Sequence, residues 1–229
     1  MIKIVVFDMA GTSINEDNVV YKCINNSLSI HGYNFTLEEV LDICAGKEKK
    51  IAIHDILKPI LENEKLDHEV LDVHKTFESL LDNAYSEQTM SLFDGMIDVF
   101  SFLKGNDIKS VFNTGYHSNV AKRILEKVRV NEGKEIDLLV TADMVENSRP
   151  APDMINYALR KFNFNSNECL KIGDSAIDIE EGKNAGAILN IGITTGAQNR
   201  EQLMKASPDF IIDHMTDLIP LIIKHNESA

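Results

Sequence analysis

The run IKIVVFDMAGT, residues 2–12, decides how the rest of the chain is read. Ile2 to Phe7 is almost continuously apolar and rich in β-branched residues. That texture suits a strand buried on both faces of a parallel sheet. The run breaks at Asp8, and Gly11 follows shortly after. Open α/β sheets bind ligands outside the carboxyl ends of their strands, which is where this carboxylate would stand.

Downstream the texture changes. From about residue 16 to residue 90 the apolar spacing is helical, with no convincing buried strand. Val19 to Ile30 suggests one helix, stopped near Gly32. Thr36-Leu37-Glu38-Glu39 has the form of a capping box opening a second. Further helices are expected over 47–57, before Pro59, and over 68–87. After Phe93-Asp94-Gly95, strand and helix alternate. Strands are predicted at 108–112, 138–141, 169–172, 187–193 and 210–212, with helices between them. Such repeats imply a Rossmann-like, doubly wound parallel sheet with helices on both faces. The expected organisation is an α/β core domain of residues 1–15 and 91–229, carrying an inserted all-helical cap domain of residues 16–90.

Composition narrows the partners. The 229 residues are 44% hydrophobic and 26% charged, enough for a sizeable core. Against 36 Asp and Glu stand 23 Lys and Arg, a formal charge of −13. That balance argues against nucleic acid or an anionic membrane, and leaves room for a local site binding a small anion. Cys23, Cys44 and Cys169 are odd in number and lack zinc-ligand spacing, so they read as reduced thiols. No apolar run approaches the ~20 residues of a membrane helix. The chain enters a strand at once, without a signal peptide. A cytoplasmic location is expected.

Polar residues stand at four strand ends: Asp8, Thr114, the Arg149 region, and Asp174 with Asp178. In this order, within VVFDMAGT, SVFNTG, SRPAPDM and KIGDSAIDIEEGKNAG, they resemble the four motifs of the haloacid dehalogenase superfamily. The resemblance spans nearly the whole chain and implies phosphoryl transfer through an aspartyl-phosphate on Asp8. It implies a Mg²⁺ ion held by Asp8, the Ala10 carbonyl and Asp174, with Asp178 as an outer ligand. It further implies that Thr114 and Gly115 hold phosphoryl oxygens and that Arg149 supplies fixed positive charge. Gly11 lets the loop turn, and Thr12 supports it.

Ala10 is the informative departure. Phosphate-ester hydrolases of the superfamily usually carry Asp there, as the acid that protonates the leaving group. The D-x-A-G-T form is similar instead to the phosphonatases, the phosphonoacetaldehyde hydrolases. RPAPDM and Thr114-Gly115-Tyr116 match that subfamily too. This resemblance implies cleavage of a carbon–phosphorus bond, with a cap lysine forming an imine with the substrate. Counted from Gly46, that lysine is Lys49. The segment KEKK also reads as an ordinary solvated helix face. The subfamily's histidine one turn further on is Ala52 here, and its tryptophan after the nucleophile is Met9. Phosphonatases are often dimers, which makes a homodimer through the cap one oligomeric option. Two rival readings remain: a phosphate monoester phosphatase, and a non-catalytic protein binding small anions on the same fold. Glu180-Glu181 is expected to form a solvated helix face.

Overall fold

A computed structural model of the chain describes residues 1–87 and 89–228; Gln88, inside the expected cap range 16–90, and Ala229, the last residue of the expected core range, lie outside the described residues. Strands β1 (Ile4–Asp8), β4 (Lys109–Thr114), β5 (Leu138–Thr141), β6 (Cys169–Gly173), β7 (Leu189–Ile193) and β8 (Phe210–Ile212) form one sheet in the order β5-β4-β1-β6-β7-β8. All five pairings are parallel. Every residue of β1 is buried. Its side chains alternate between two cores, Val5 and Phe7 on one face and Ile4 and Val6 on the other. A strand covered on both sides favours apolar residues along its length, and the apolar run of β1 breaks at its last residue, Asp8.

The chain steps from β1 to β4 and β5, then returns to the opposite side of β1 as β6. That reversal makes a crevice at the carboxyl ends of β1 and β6, the favoured ligand position in such sheets. Asp8 ends β1, Thr114 ends β4 and Asp174 follows β6.

Helices α1 (Val19–Ile30), α2 (Leu37–Cys44), α3 (Lys49–Leu57) and α4 (Asn63–Glu87) lie between two short strands, β2 (Ile14–Asn15) and β3 (Ser91–Leu92). These strands pair antiparallel, so the chain leaves and rejoins the sheet through a two-stranded ribbon. The Thr36–Glu39 capping box forms as the sequence predicts. The sheet is flanked by α5 (Met96–Gly105), α6 (Ser118–Val128), α7 (Asp153–Phe162), α8 (Ala176–Ala185), α9 (Arg200–Lys205) and α10 (Leu218–Glu227). Among the described residues, no helix is long and apolar enough to cross a membrane.

Candidate active site

Asp8, Asp174 and Asp178 meet at the crevice. Each offers a carboxylate oxygen, and these oxygens lie within 4.8 Å of one another. Asp8 and Asp174 arrive on neighbouring strands, whereas Asp178 sits in the first turn of α8. All three are nearly inaccessible to solvent. Burial is the main influence raising the Asp8 carboxyl, and Asp178 adds to it while Arg149 and Lys171 oppose it. Asp174 is pushed well above the usual carboxylate range by burial first, then by the charges of Asp8 and Asp178. For Asp178, burial acts in the same direction, but Arg149 and Lys171 outweigh it and the carboxyl ends up lowered.

Two cations lie beneath the cluster. The Arg149 guanidinium is buried, with Nη1 at 2.6 Å from Asp8 Oδ1 and 3.0 Å from Asp178 Oδ1, and Nε at 3.1 Å from Glu181 Oε2. Its Nη2 donates to the Asn113 carbonyl at 2.8 Å and to Asn113 Oδ1 at 2.6 Å. Burial lowers its affinity for the proton, but Asp178, Asp8 and Glu181 outweigh that and raise it, so it stays charged. Lys171 Nζ lies 2.9 Å from Asp178 Oδ1, 3.3 Å from Glu181 Oε2 and 2.7 Å from Asn113 Oδ1. Four buried carboxylates therefore face two buried cations. An additional divalent cation would balance them, and the three aspartates supply the hard oxygen donors it needs.

Glu181 corrects the expectation of a solvated Glu180-Glu181 face: Glu180 is exposed, but Glu181 is buried. Asn113 Nδ2 donates to both of its oxygens, at 2.7 and 2.9 Å. Asn113, Lys171 and Glu181 were not picked out by the sequence reading. Two of the three carry a signal. Lys171 interrupts an apolar strand, and Glu181 follows Asp178 by one helical turn, on the same face of α8.

The loop after β1 is held for this cluster. Thr12 Oγ1 donates to Asp174 Oδ1 at 3.0 Å, and Ser13 Oγ donates to the Asp8 carbonyl at 2.9 Å. Thr12 thus orients a carboxylate through its hydroxyl. Gly11 adopts φ +87° and lies so close to Asp174 that a side chain would collide with it. Its amide donates to the Ile14 carbonyl at 2.9 Å, and its carbonyl accepts from Thr195 Oγ1 at 2.7 Å. Ala10 is half-buried and bridges to Ile14, with no side-chain acid to offer. Thr114 is buried, and its hydroxyl accepts from the Tyr116 amide at 3.2 Å.

Lys49 opens α3 and is buried, while Lys50 beside it is exposed. Its Nζ donates to the Lys47 carbonyl at 2.9 Å and lies 5.0 Å from the ring centre of Tyr21 and 5.2 Å from that of Tyr116. Burial lowers its affinity for the proton, and Glu16, Cys44 and Asp8 partly offset that. The Gly46–Lys47 backbone rests on Gly115 of the sheet. A Cβ on Gly115 would stand 3.0 Å from the Lys47 carbonyl oxygen. Tyr21 Oη accepts from the Gly46 amide at 3.0 Å. Beside this seam, Lys49, Gly115 and Tyr116 help line a cavity of about 310 Å³ that extends between α4 and α6.

A family model described as haloacid dehalogenase-like hydrolase matches residues 5–193. The pyrophosphatase PpaX of Bacillus cereus is 26% identical over 99% of both chains. A phosphonoacetaldehyde hydrolase-like protein from Oleispira antarctica has the same fold, with a TM-score of 0.84, 22% identity and coverage of 99% of this chain and 93% of that one. CbbY from Rhodobacter sphaeroides, solved with xylulose-1,5-bisphosphate, aligns with a TM-score of 0.76, 20% identity and coverage of 95% and 96%.

Proposed function

The chain belongs to the haloacid dehalogenase-like hydrolase family, and from that premise we propose that it is a Mg²⁺-dependent, phosphonatase-like enzyme cleaving the carbon–phosphorus bond of a small 2-oxoalkyl phosphonate. The observation that carries this reading is the buried Lys49 amine, about 5 Å from two tyrosine ring centres and within electrostatic range of Asp8, whose loop has alanine at position 10. A desolvated lysine is a nucleophile for carbonyl carbon. A phosphate ester with a poor leaving group would need an acid that Ala10 lacks.

In this reading Arg149 fixes one oxygen of Asp8 and the other, Oδ2, attacks phosphorus in line. Thr114 and the Gly115 amide hold the phosphoryl oxygens. Asp8, the Ala10 carbonyl, Asp174 and Asp178 are the set that would hold Mg²⁺, which when bound neutralises negative charge on the phosphonate. Thr12 and Gly11 keep the loop in shape for it. Lys49 forms a protonated imine with the carbonyl of the substrate. As the Asp8–phosphorus bond forms, the carbon–phosphorus bond breaks and its electron pair moves into the imine, giving an enamine. Protonation at carbon and addition of water release the aldehyde or ketone and free Lys49. A second water hydrolyses the aspartyl-phosphate to orthophosphate. Residues 16–90 act as a cap that closes on the core and excludes water. A homodimer through that cap and a cytoplasmic location belong to the same reading, the latter supported by three free, buried thiols.

Borohydride added with phosphonoacetaldehyde should trap a covalent adduct on Lys49, read by peptide mass. Absence of the adduct, with brisk release of phosphate from esters or pyrophosphate, favours the second reading. That reading is a phosphatase, and the similarity to a pyrophosphatase over the full chain supports it. Pyrophosphate departs as phosphate, a leaving group that needs little help from an acid.

A further inference from the structure

Glu16 is a buried carboxyl that neither the metal cluster nor the phosphoryl site uses. It lies just after β2, where the chain leaves the sheet for α1, and it is only 2% exposed. The Tyr85 hydroxyl donates to its Oε2 at 3.3 Å, and the Tyr116 hydroxyl is its second tyrosine partner. Tyr116 is also the ring beneath Lys49 Nζ. One tyrosine therefore hydrogen-bonds the carboxyl while its ring centre lies 5.2 Å from the amine, and both Lys49 and Asp8 lie within electrostatic range of Glu16.

The tyrosine and cysteine side chains around Lys49 are poorly suited to exchanging protons with it. Burial holds the Tyr21, Tyr85 and Tyr116 hydroxyls well above their ordinary range, so they stay protonated. It pushes the Cys44 thiol up to about 12 and the Cys23 thiol up to about 11. Ala52, one turn along α3, has nothing to offer. Glu48 caps α3, accepting from the Ile51 amide at 2.9 Å. Glu16 is different: burial pushes it up to about 8, against the attraction of Lys49, so it titrates near neutrality.

We propose that Glu16 is the acid–base partner of Lys49, accepting the proton that the ammonium must lose and returning it to the oxygen that leaves the substrate carbonyl as water. The inference rests on the imine reading above. The protons balance. Glu16 takes one from the Lys49 ammonium, and the free amine adds to the carbonyl carbon. A second proton moves from nitrogen to the resulting alkoxide, giving a neutral carbinolamine. Glu16 then protonates the hydroxyl, water departs, and the nitrogen lone pair forms the protonated imine. Glu16 ends as the carboxylate with which it began.

The test follows adduct formation on Lys49 directly, using phosphonoacetaldehyde and cyanoborohydride in single-turnover mixtures, with the full-length protein as wild type, Glu16→Gln and Glu16→Asp. Glutamine can still accept from Tyr85 but cannot shuttle a proton. Trapping in Glu16→Gln should slow on the order of 100-fold. Glu16→Asp, which keeps the carboxyl, should stay within about 10-fold of wild type. Wild-type trapping in Glu16→Gln, or equal losses in both variants, overturns the role of Glu16 while leaving the imine standing. Absence of any wild-type adduct removes the imine and this inference together.

Discussion

Asp8 ends β1 and Asp174 follows the neighbouring β6, and their carboxylate oxygens lie within 4.8 Å of each other. Both are raised, burial being the first cause. Protons and a divalent cation therefore compete for the same oxygens, and lowering the pH should weaken Mg²⁺ binding as these groups protonate. Mg²⁺ should raise the melting temperature at pH 7.5 and do so less at pH 5.5. A Mg²⁺-induced shift that is absent, or larger at the acid value, contradicts the assignment of this cluster as the metal site. Chelation should abolish phosphate release.

Asp8→Asn tests the nucleophile. The amide keeps the shape but cannot attack phosphorus, so turnover should fall by on the order of 10⁴-fold or more. Arg149 retains Asp178, Glu181 and Asn113, so the fold should survive. The variant should melt near or above wild type, because a buried charge repelled by Asp178 has gone. Residual phosphate release near the wild-type rate would dismiss Asp8 from its role.

The contact of the Gly46–Lys47 backbone with Gly115 gives an ordering of two variants. A Cβ on Gly115 would stand 3.0 Å from the Lys47 carbonyl oxygen and 3.2 Å from that of Gly46, a clash relieved by a shift of a few tenths of an ångström. On Gly46 it would collide with Ile177 and Ser175, at a φ of +72° that disfavours any side chain. Gly115→Ala should lower kcat/KM by roughly 10-fold through misplacement of Lys49, and Gly46→Ala by more. The reverse order, measured on the same substrate, would mean that these four helices do not seat on the sheet through this contact.

Local signals were legible in the sequence. The β1 run, the Thr36–Glu39 box and the alternation after Gly95 are written within a few residues, and each appears as expected. The β2–β3 ribbon was missed because strands of two residues have no period to detect, and α10 because Pro220 near its start resembles a stop. The convergence of Asp8, Arg149, Asp174 and Asp178 was readable only through resemblance to a known motif order. Glu16 had no such signal. Its stretch, Asn15-Glu16-Asp17-Asn18, looks like a solvated turn, and its burial comes from Tyr85, 69 residues away, and from Tyr116.

That burial leaves a pH signature in stability. Unfolded, Glu16 titrates near its ordinary 4.5; folded, burial pushes it up to about 8. Between those values the folded chain keeps a proton that the unfolded chain has lost, so stability falls as pH rises through the window. Glutamine has no proton to lose. The melting temperature of Glu16→Gln relative to wild type should therefore climb from pH 5 to pH 8 and level off above it. The accompanying free-energy change is bounded at roughly a few kcal/mol. Lys49 titrates in the same pocket, and repeating the comparison in a Lys49→Met background isolates the carboxyl. A difference that stays flat across this range would show that Glu16 loses its proton as an exposed carboxylate does, which leaves it no proton to return to a substrate at neutral pH.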